Sequence, residues 1–194
     1  MENFWVATAG LVVAAAPPAD NHGLLKATMR ADDPVVFMEH KELWQSTGEV
    51  DADAAPIEMG KVAIRHEGRD ITLISWSSTA NACVAAAETL ATQGIAAEVI
   101  DLRILWPWDR DCVCNSIEKT GRVLVAHEST RAGGFGGELI AEIAEAFYGK
   151  LKSRPMRIGS PRVPVPYSKP LEDRYRVGAL EVAAAAPKLF EKTV

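Results

Sequence analysis

Residues Ala97 to Glu138 read AEVIDLRILWPWDRDCVCNSIEKTGRVLVAHESTRAGGFGGE, and this stretch decides the fold. Glu98 to Leu102 is a short apolar run suited to a buried strand. Pro107 and Asp109 open a helix that runs to Thr120, since proline is preorganised for a first turn and aspartate caps one. Gly121 supplies the left-handed stop. Val123 to Ala126 is a strand apolar on both faces, and a glycine-rich turn, His127 to Gly137, follows it. Strands joined through helices must run parallel, with right-handed crossovers. The stretch therefore predicts a parallel α/β sheet.

The pattern extends in both directions. Upstream, Lys61–Arg65 and Ile71–Ser75 read as strands joined by a hairpin-like turn, Glu67-Gly68-Arg69-Asp70, and so as an antiparallel pair. Ser77, Ser78 and Thr79 can cap a helix from Ala80 to Gln93, with Gly94 at its left-handed end. Downstream, Leu139, Ile140, Ile143, Ala144 and Phe147 mark another helix. Met156–Ile158 is a last short strand, a proline-rich loop follows, and a terminal helix runs from about Leu180 to Lys192. The expected fold is a three-layer α/β/α domain with a five-stranded mixed sheet, one strand antiparallel.

The first forty residues carry a smaller β-α-β unit. Gly10–Ala16 and Val35–Met38 read as buried strands around a helix over Gly23–Arg30, with Asp20 as its cap. This partial unit would leave strand edges and an apolar face without a neighbour, which predicts a homodimer or another partner covering it. Lys41–Gly60 has no periodicity and reads as a linker. The expected organisation is thus 1–44, a linker over 45–60, and 61–194.

Composition narrows the function. The chain has 194 residues, 48% hydrophobic and 24% charged, with a net charge of −5 from 21 basic and 26 acidic side chains. That balance argues against nucleic acid as a partner. No apolar run approaches the roughly 18 residues of a membrane span. Three cysteines, with no export signal before them, fit reduced thiols and a cytoplasmic location. Four scattered histidines show no metal-ligand spacing.

Candidate site residues cluster in the glycine-rich turn: His127, Glu128, Arg131, Gly133, Gly134 and Gly136. A turn between a strand and a helix presents backbone N–H groups to an anion, and Arg131 adds positive charge. The same glycines equally suit close packing of helix on sheet. His127 is the best acid–base candidate, but adjacent strand residues face opposite ways, so His127 and Glu128 do not read as a catalytic pair. Glu39, His40 and Lys41 follow the strand Val35–Met38 and read as a solvated or interface salt link. No nucleophile elbow surrounds Ser77-Ser78-Thr79, which leaves them to helix capping.

Several words, in order, resemble one family: GLLKATMRADDPVVFMEHKELW (Gly23–Trp44), GKVAIRHEGRDITLISW (Gly60–Trp76), AEVIDLRILWPWD (Ala97–Asp109), KTGRVLVAHESTRAGGFGGEL (Lys119–Leu139) and RVPVPYSKPLED (Arg162–Asp173). They are similar to the C-terminal part of the β subunit of thiamine-diphosphate-dependent 2-oxo acid dehydrogenases, the E1 component, within the transketolase superfamily. The resemblance implies a transketolase C-terminal domain from Gly60 onward, preceded by the last β-α-β of a pyrimidine-binding domain. It implies an assembly role: subunit interfaces of an E1-type complex and, in some members, docking of the E2 core. The family's cofactor-binding glutamate and substrate histidine fall upstream of the matching words. The resemblance therefore implies no catalysis and no cofactor bound by this chain alone, with thiamine diphosphate and Mg²⁺ only in a complete complex. The alternative it leaves open is one piece of a split E1 enzyme, carrying out oxidative decarboxylation of a 2-oxo acid together with separate subunits.

Overall fold

The computed structural model describes residues 2–191. Its main sheet has five strands: β3 (Ala63–His66), β4 (Ile71–Ser75), β5 (Ala97–Asp101), β7 (Val123–Thr130) and β8 (Met156–Ser160), in the order β3-β5-β4-β7-β8. All pairings are parallel except β3 with β5, so the mixed sheet carries one antiparallel strand.

Side-chain alternation along each strand builds the layers. Ile71 and Leu73 of β4, Val99 of β5 and Leu124 of β7 face α3 (Ser77–Thr92) and α7 (Ala179–Ala185), meeting Cys83, Leu90 and Val182. Ile74, Ile100, Val123 and Val125 face the other way. They pack on Val113 and Ile117 of α4 (Arg110–Thr120) and on Leu139 and Ile143 of α5 (Gly136–Ala146). On that second face the Thr72 hydroxyl meets those of Ser116 (2.7 Å) and Thr120 (2.8 Å), so its buried oxygen is satisfied.

A second sheet holds β1 (Leu11–Val13), β2 (Val35–Phe37) and β6 (Ile104–Trp106), in the order β2-β1-β6. α1 (Glu2–Thr8) precedes it and α2 (Pro18–Thr28) crosses between β1 and β2. β1 is parallel to β2 and antiparallel to β6. The expectation that the N-terminal strands lack neighbours is corrected for β1. The chain leaves the main sheet after β5 and lends β6 to the small one. Val13, Leu24 and Ile104 form a small core there, while Val12 and Ala14 join the main core.

Several local expectations are corrected as well. β3 and β4 are not a hairpin, because β5 lies between them. Arg69 and Asp70 donate their N–H groups to Ala96 O (3.0 and 2.9 Å), and a Cβ at Gly68 would strike the Ala97 backbone. The turn thus crosses over the start of β5, and only glycine fits that approach. Asp20 does not cap α2, which starts at Pro18, because its carboxylate is held by Arg103. No side chain caps α3, whose first helical residue is Ser77 itself. β7 runs four residues beyond Ala126, since it stays in register with β8 as far as Thr130 and Ser160. The terminal helix ends at Ala185 and tightens into a 3-10 turn over Ala186–Leu189, as Pro187 requires. The predicted end of that helix at Lys192 lies outside the described residues. Two α-helices, α1 and α6 (Lys169–Tyr175), and a 3-10 helix over Lys41–Gln45 lie where no helix is predicted. Asp109 and Gly121 cap α4 as read from sequence, Gly121 with φ of 71°.

Candidate functional site

In the main sheet the chain departs in opposite directions from β4, to β5 on one side and β7 on the other. Crevices beyond the carboxyl ends of parallel strands at such a switch point are where open α/β sheets bind ligands. A cleft of about 380 Å³ opens at that place. The ends of β1, β2, β4 and β7 bound it, with α6 at its rim.

Trp76, the residue after β4, forms the floor and is 3% exposed. Its indole N–H donates to Glu2 Oε1 at 2.9 Å. Its ring stacks on His127 at 5.5 Å and 6°, and meets the Phe135 ring edge-on at 5.8 Å. The chain turns sharply at this floor: Ser77 has φ of 51°, left-handed for a non-glycine residue, and its N–H donates to Ala14 O (3.2 Å). Ser77, Ser78 and Thr79 therefore face the cleft at the start of α3.

The wall is a charge network from three distant segments. His40 follows β2, Glu128 lies in β7, and Arg176 ends α6. The Glu42 N–H donates to His40 Nδ1 (3.3 Å), which leaves the ring proton on Nε2 to donate to Glu128 Oε2 at 2.6 Å. Arg176 pairs with Glu42 and Glu172 and sits 3.8 Å from Glu128. The hydrogen bond to Glu128 holds His40 above the usual imidazole range. The same bond draws Glu128 below the usual carboxylate range. Burial pushes Glu2, on the opposite wall, upward. His40 and Glu128 are thus already engaged with each other. The cleft offers fixed polar groups over an aromatic floor, which suits holding a polar segment better than moving a proton.

The sequence candidates do not converge on this cleft. His127 is fully buried beneath Trp76, and neither ring nitrogen has a hydrogen-bond partner. Burial first, and Arg157 second, press its imidazole down to about 4. A Cβ on Gly134 or Gly136 would strike the His127 ring, so these glycines serve close packing. Gly133 turns at φ of 78° with open space around it. Arg131 points to a separate hollow beside β8. Only Glu128 lines the cleft. Glu2, Glu42 and Arg176 are site residues that sequence reasoning missed. For Arg176 a signal existed, since Ser168 with Pro170 two residues on is a helix start.

The fold and this sheet-end cleft define a doubly wound, mixed α/β domain with helices on both faces of its main sheet. The chain belongs to the family described as "Transketolase, C-terminal domain", which matches residues 60–182. It is 39% identical over 180 residues to the acetoin:2,6-dichlorophenolindophenol oxidoreductase subunit beta of Cupriavidus necator, covering 93% of this chain and 53% of that protein. It is 37% identical over 182 residues to the 2-oxoisovalerate dehydrogenase subunit beta of Bacillus subtilis, covering 93% and 56%. The chain spans about half the length of the curated relatives it matches. Among solved structures it is similar to a split gene transketolase described as an inactive beta4 tetramer (TM-score 0.78, 28% identity). That match covers 92% of this chain and 57% of the other. A Pichia stipitis transketolase shares the fold at a TM-score of 0.63 and 14% identity, over 96% of this chain and 26% of that one.

Proposed function

We propose that this chain is an assembly domain of an E1-type 2-oxo acid dehydrogenase, without activity on its own. The observation that carries this reading is identity of 37–39% to proteins named as beta subunits, over nearly the whole chain. The tetramer formed by the split gene transketolase supports it, and so do exposed apolar side chains such as Trp44, Val165 and Tyr167. In this reading residues 1–44 act as the last β-α-β of a pyrimidine-binding domain, 45–60 as a joint and 61–194 as the interaction domain. Its partners are a second copy or other E1-type subunits, with the E2 core as a further one, in the cytoplasm. Among the described residues no three His, Cys, Asp or Glu side chains converge on a metal-sized site.

The split transketolase also favours a second reading, in which the chain is one piece of a split enzyme. Light scattering and calorimetry separate the two. The assembly reading expects a dimer or larger species and, with thiamine diphosphate and Mg²⁺, no heat that excess pyrophosphate does not abolish. A clean monomer, or saturable thiamine diphosphate binding that survives excess pyrophosphate, overturns it. Recovery of 2-oxo acid decarboxylation on co-expression with an E1 α subunit and a pyrimidine-binding polypeptide would establish the second.

A further inference from the structure

We propose that the hollow formed by Arg131, Arg157 and Arg162 over Ser160, at the ends of β7 and β8, binds a phosphate-bearing small molecule. The place differs from the sheet-end cleft and owes nothing to the assembly reading. Its volume is about 400 Å³, within the range of small-ligand sites.

The backbone brings these groups together. Arg131 donates its N–H to Ser160 O at 2.8 Å, which closes the last rung between β7 and β8. A Cβ at Gly159 would lie 2.8 Å from Ser129 O and 3.0 Å from the Arg131 Cα, so the close approach requires glycine there. The Arg157 guanidinium lies against Gly137 of α5, where any Cβ would strike it.

Charge and polarity then specify the ligand. Four other arginines are matched to carboxylates: Arg65 with Asp101, Arg103 with Asp20, Arg110 with Glu142, and Arg176 with three glutamates. Among the described residues Arg131, Arg157 and Arg162 form no ion pair and no carboxylate lines the hollow. An adjoining hollow shares Arg131 and Arg157 and adds Arg154 and Lys188, again without a carboxylate. Five cations thus sit together on a chain whose net charge is −5. The Ser160 hydroxyl at the floor is 1% exposed and lacks any hydrogen-bond partner. A buried hydroxyl left so is costly unless an oxygen acceptor arrives. The field of Arg157 also reaches His127, where it adds to burial in disfavouring a second positive charge. Guanidinium groups bind phosphate oxygens in a bidentate fork. Three of them suit a divalent or trivalent anion better than a lone carboxylate.

The test uses the full chain with inorganic phosphate and pyrophosphate as probes, followed by calorimetry and by melting temperature at fixed ionic strength. Saturable binding is expected, tighter for pyrophosphate. Arg157→Gln should weaken it about tenfold and Ser160→Ala a few-fold, at the strength typical of charge-assisted hydrogen bonds. If Arg157→Gln does not fold, Arg162→Gln on the exposed loop should show the same loss. Arg30→Gln, on the turn after α2, should leave the affinity unchanged. The proposal is overturned by non-saturable binding, or by equal losses in Arg30→Gln. A poly-glutamate peptide that binds more tightly than pyrophosphate also overturns it, in favour of an acidic protein partner.

Discussion

His127 sits fully buried with both ring nitrogens unpaired, stacked on Trp76 and hemmed in by Gly134 and Gly136. Burial presses its imidazole from 6.5 to about 4. The unfolded chain therefore takes up a proton near pH 6.5 that the folded chain refuses until about pH 4. The contribution is fully present above pH 6.5 and is lost as pH falls through 4. Between pH 7 and pH 5 this linkage amounts to about 2 kcal/mol. Asp101 works in the opposite sense: burial pushes it to about 7, so between 3.8 and 7 it removes stability as pH rises. The comparison that isolates His127 is wild type against His127→Phe, which keeps a stackable ring and cannot titrate. Chemical denaturation at pH 7 and pH 5 should show wild type losing about 2 kcal/mol more than the variant. Equal losses would mean that this imidazole is not held neutral. The buried imidazole was legible as a residue to watch, but its role was not. A histidine at the end of an apolar strand reads as a functional group, and only the ring stack and the glycine clamp show it as part of the core.

At the scale of elements, one guanidinium ties three segments together. Arg103 lies in the bend between β5 and β6 with φ of 59°. Its Nε and Nη2 donate to the two Asp20 oxygens of α2 at 2.7 and 2.6 Å, its Nη1 donates to Val62 O at 3.5 Å, and its own N–H donates to Asp101 Oδ1 at 3.1 Å. Asp20 is only 6% exposed, so removing the arginine would strand a buried carboxylate. Arg103→Leu should cost about 3 kcal/mol in urea unfolding, and Asp20→Asn added to it should recover part of that loss. A loss no larger than that of an exposed pair would show that water already reaches Asp20. The elements themselves were legible to different degrees. β4, β5, α4 and the core of β7 declare themselves through runs of Val, Ile and Leu and through local caps such as Asp109 and Gly121. Strand order did not, since Gly68 reads as a hairpin turn until the backbone of Ala97 is seen beneath it. β6 was hidden for a related reason. Its three residues make a strand only because β1, more than ninety positions earlier, is there to pair with them. The His40–Glu128–Arg176 wall joins residues from three segments, and no local pattern announces such a meeting.

For the whole molecule, that exchange of β6 bears on how the chain unfolds. The main sheet and the small sheet share more than a boundary. Ala14 donates its N–H to Arg103 O (2.8 Å), Ser77 donates to Ala14 O (3.2 Å), and Leu102 donates to Ser75 O (2.8 Å), so the strand ends of both sheets are laced together. Val12 and Ala14 of the small sheet lie in the same core as Ile74, Trp76, Val113 and Leu139 of the large one. Melting the first forty residues would therefore expose one face of the main sheet and strip β6 of β1, its sheet partner. A unit that cannot open without dismantling its neighbour has no separate transition. Calorimetry of the full chain should give one endotherm, with far-UV circular dichroism and the fluorescence of buried Trp76 and Trp108 following the same curve. A chain cut to residues 61–194 should keep the five strands of the main sheet but lose β6, expose the face that Val12 and Ala14 cover, and bind a hydrophobic dye that the full chain does not. Two resolved endotherms, or a shortened chain with an unchanged melting temperature and no dye binding, would make the small sheet an appendage. One shared transition would make it the part of the core that holds β6 and the floor of the cleft in place.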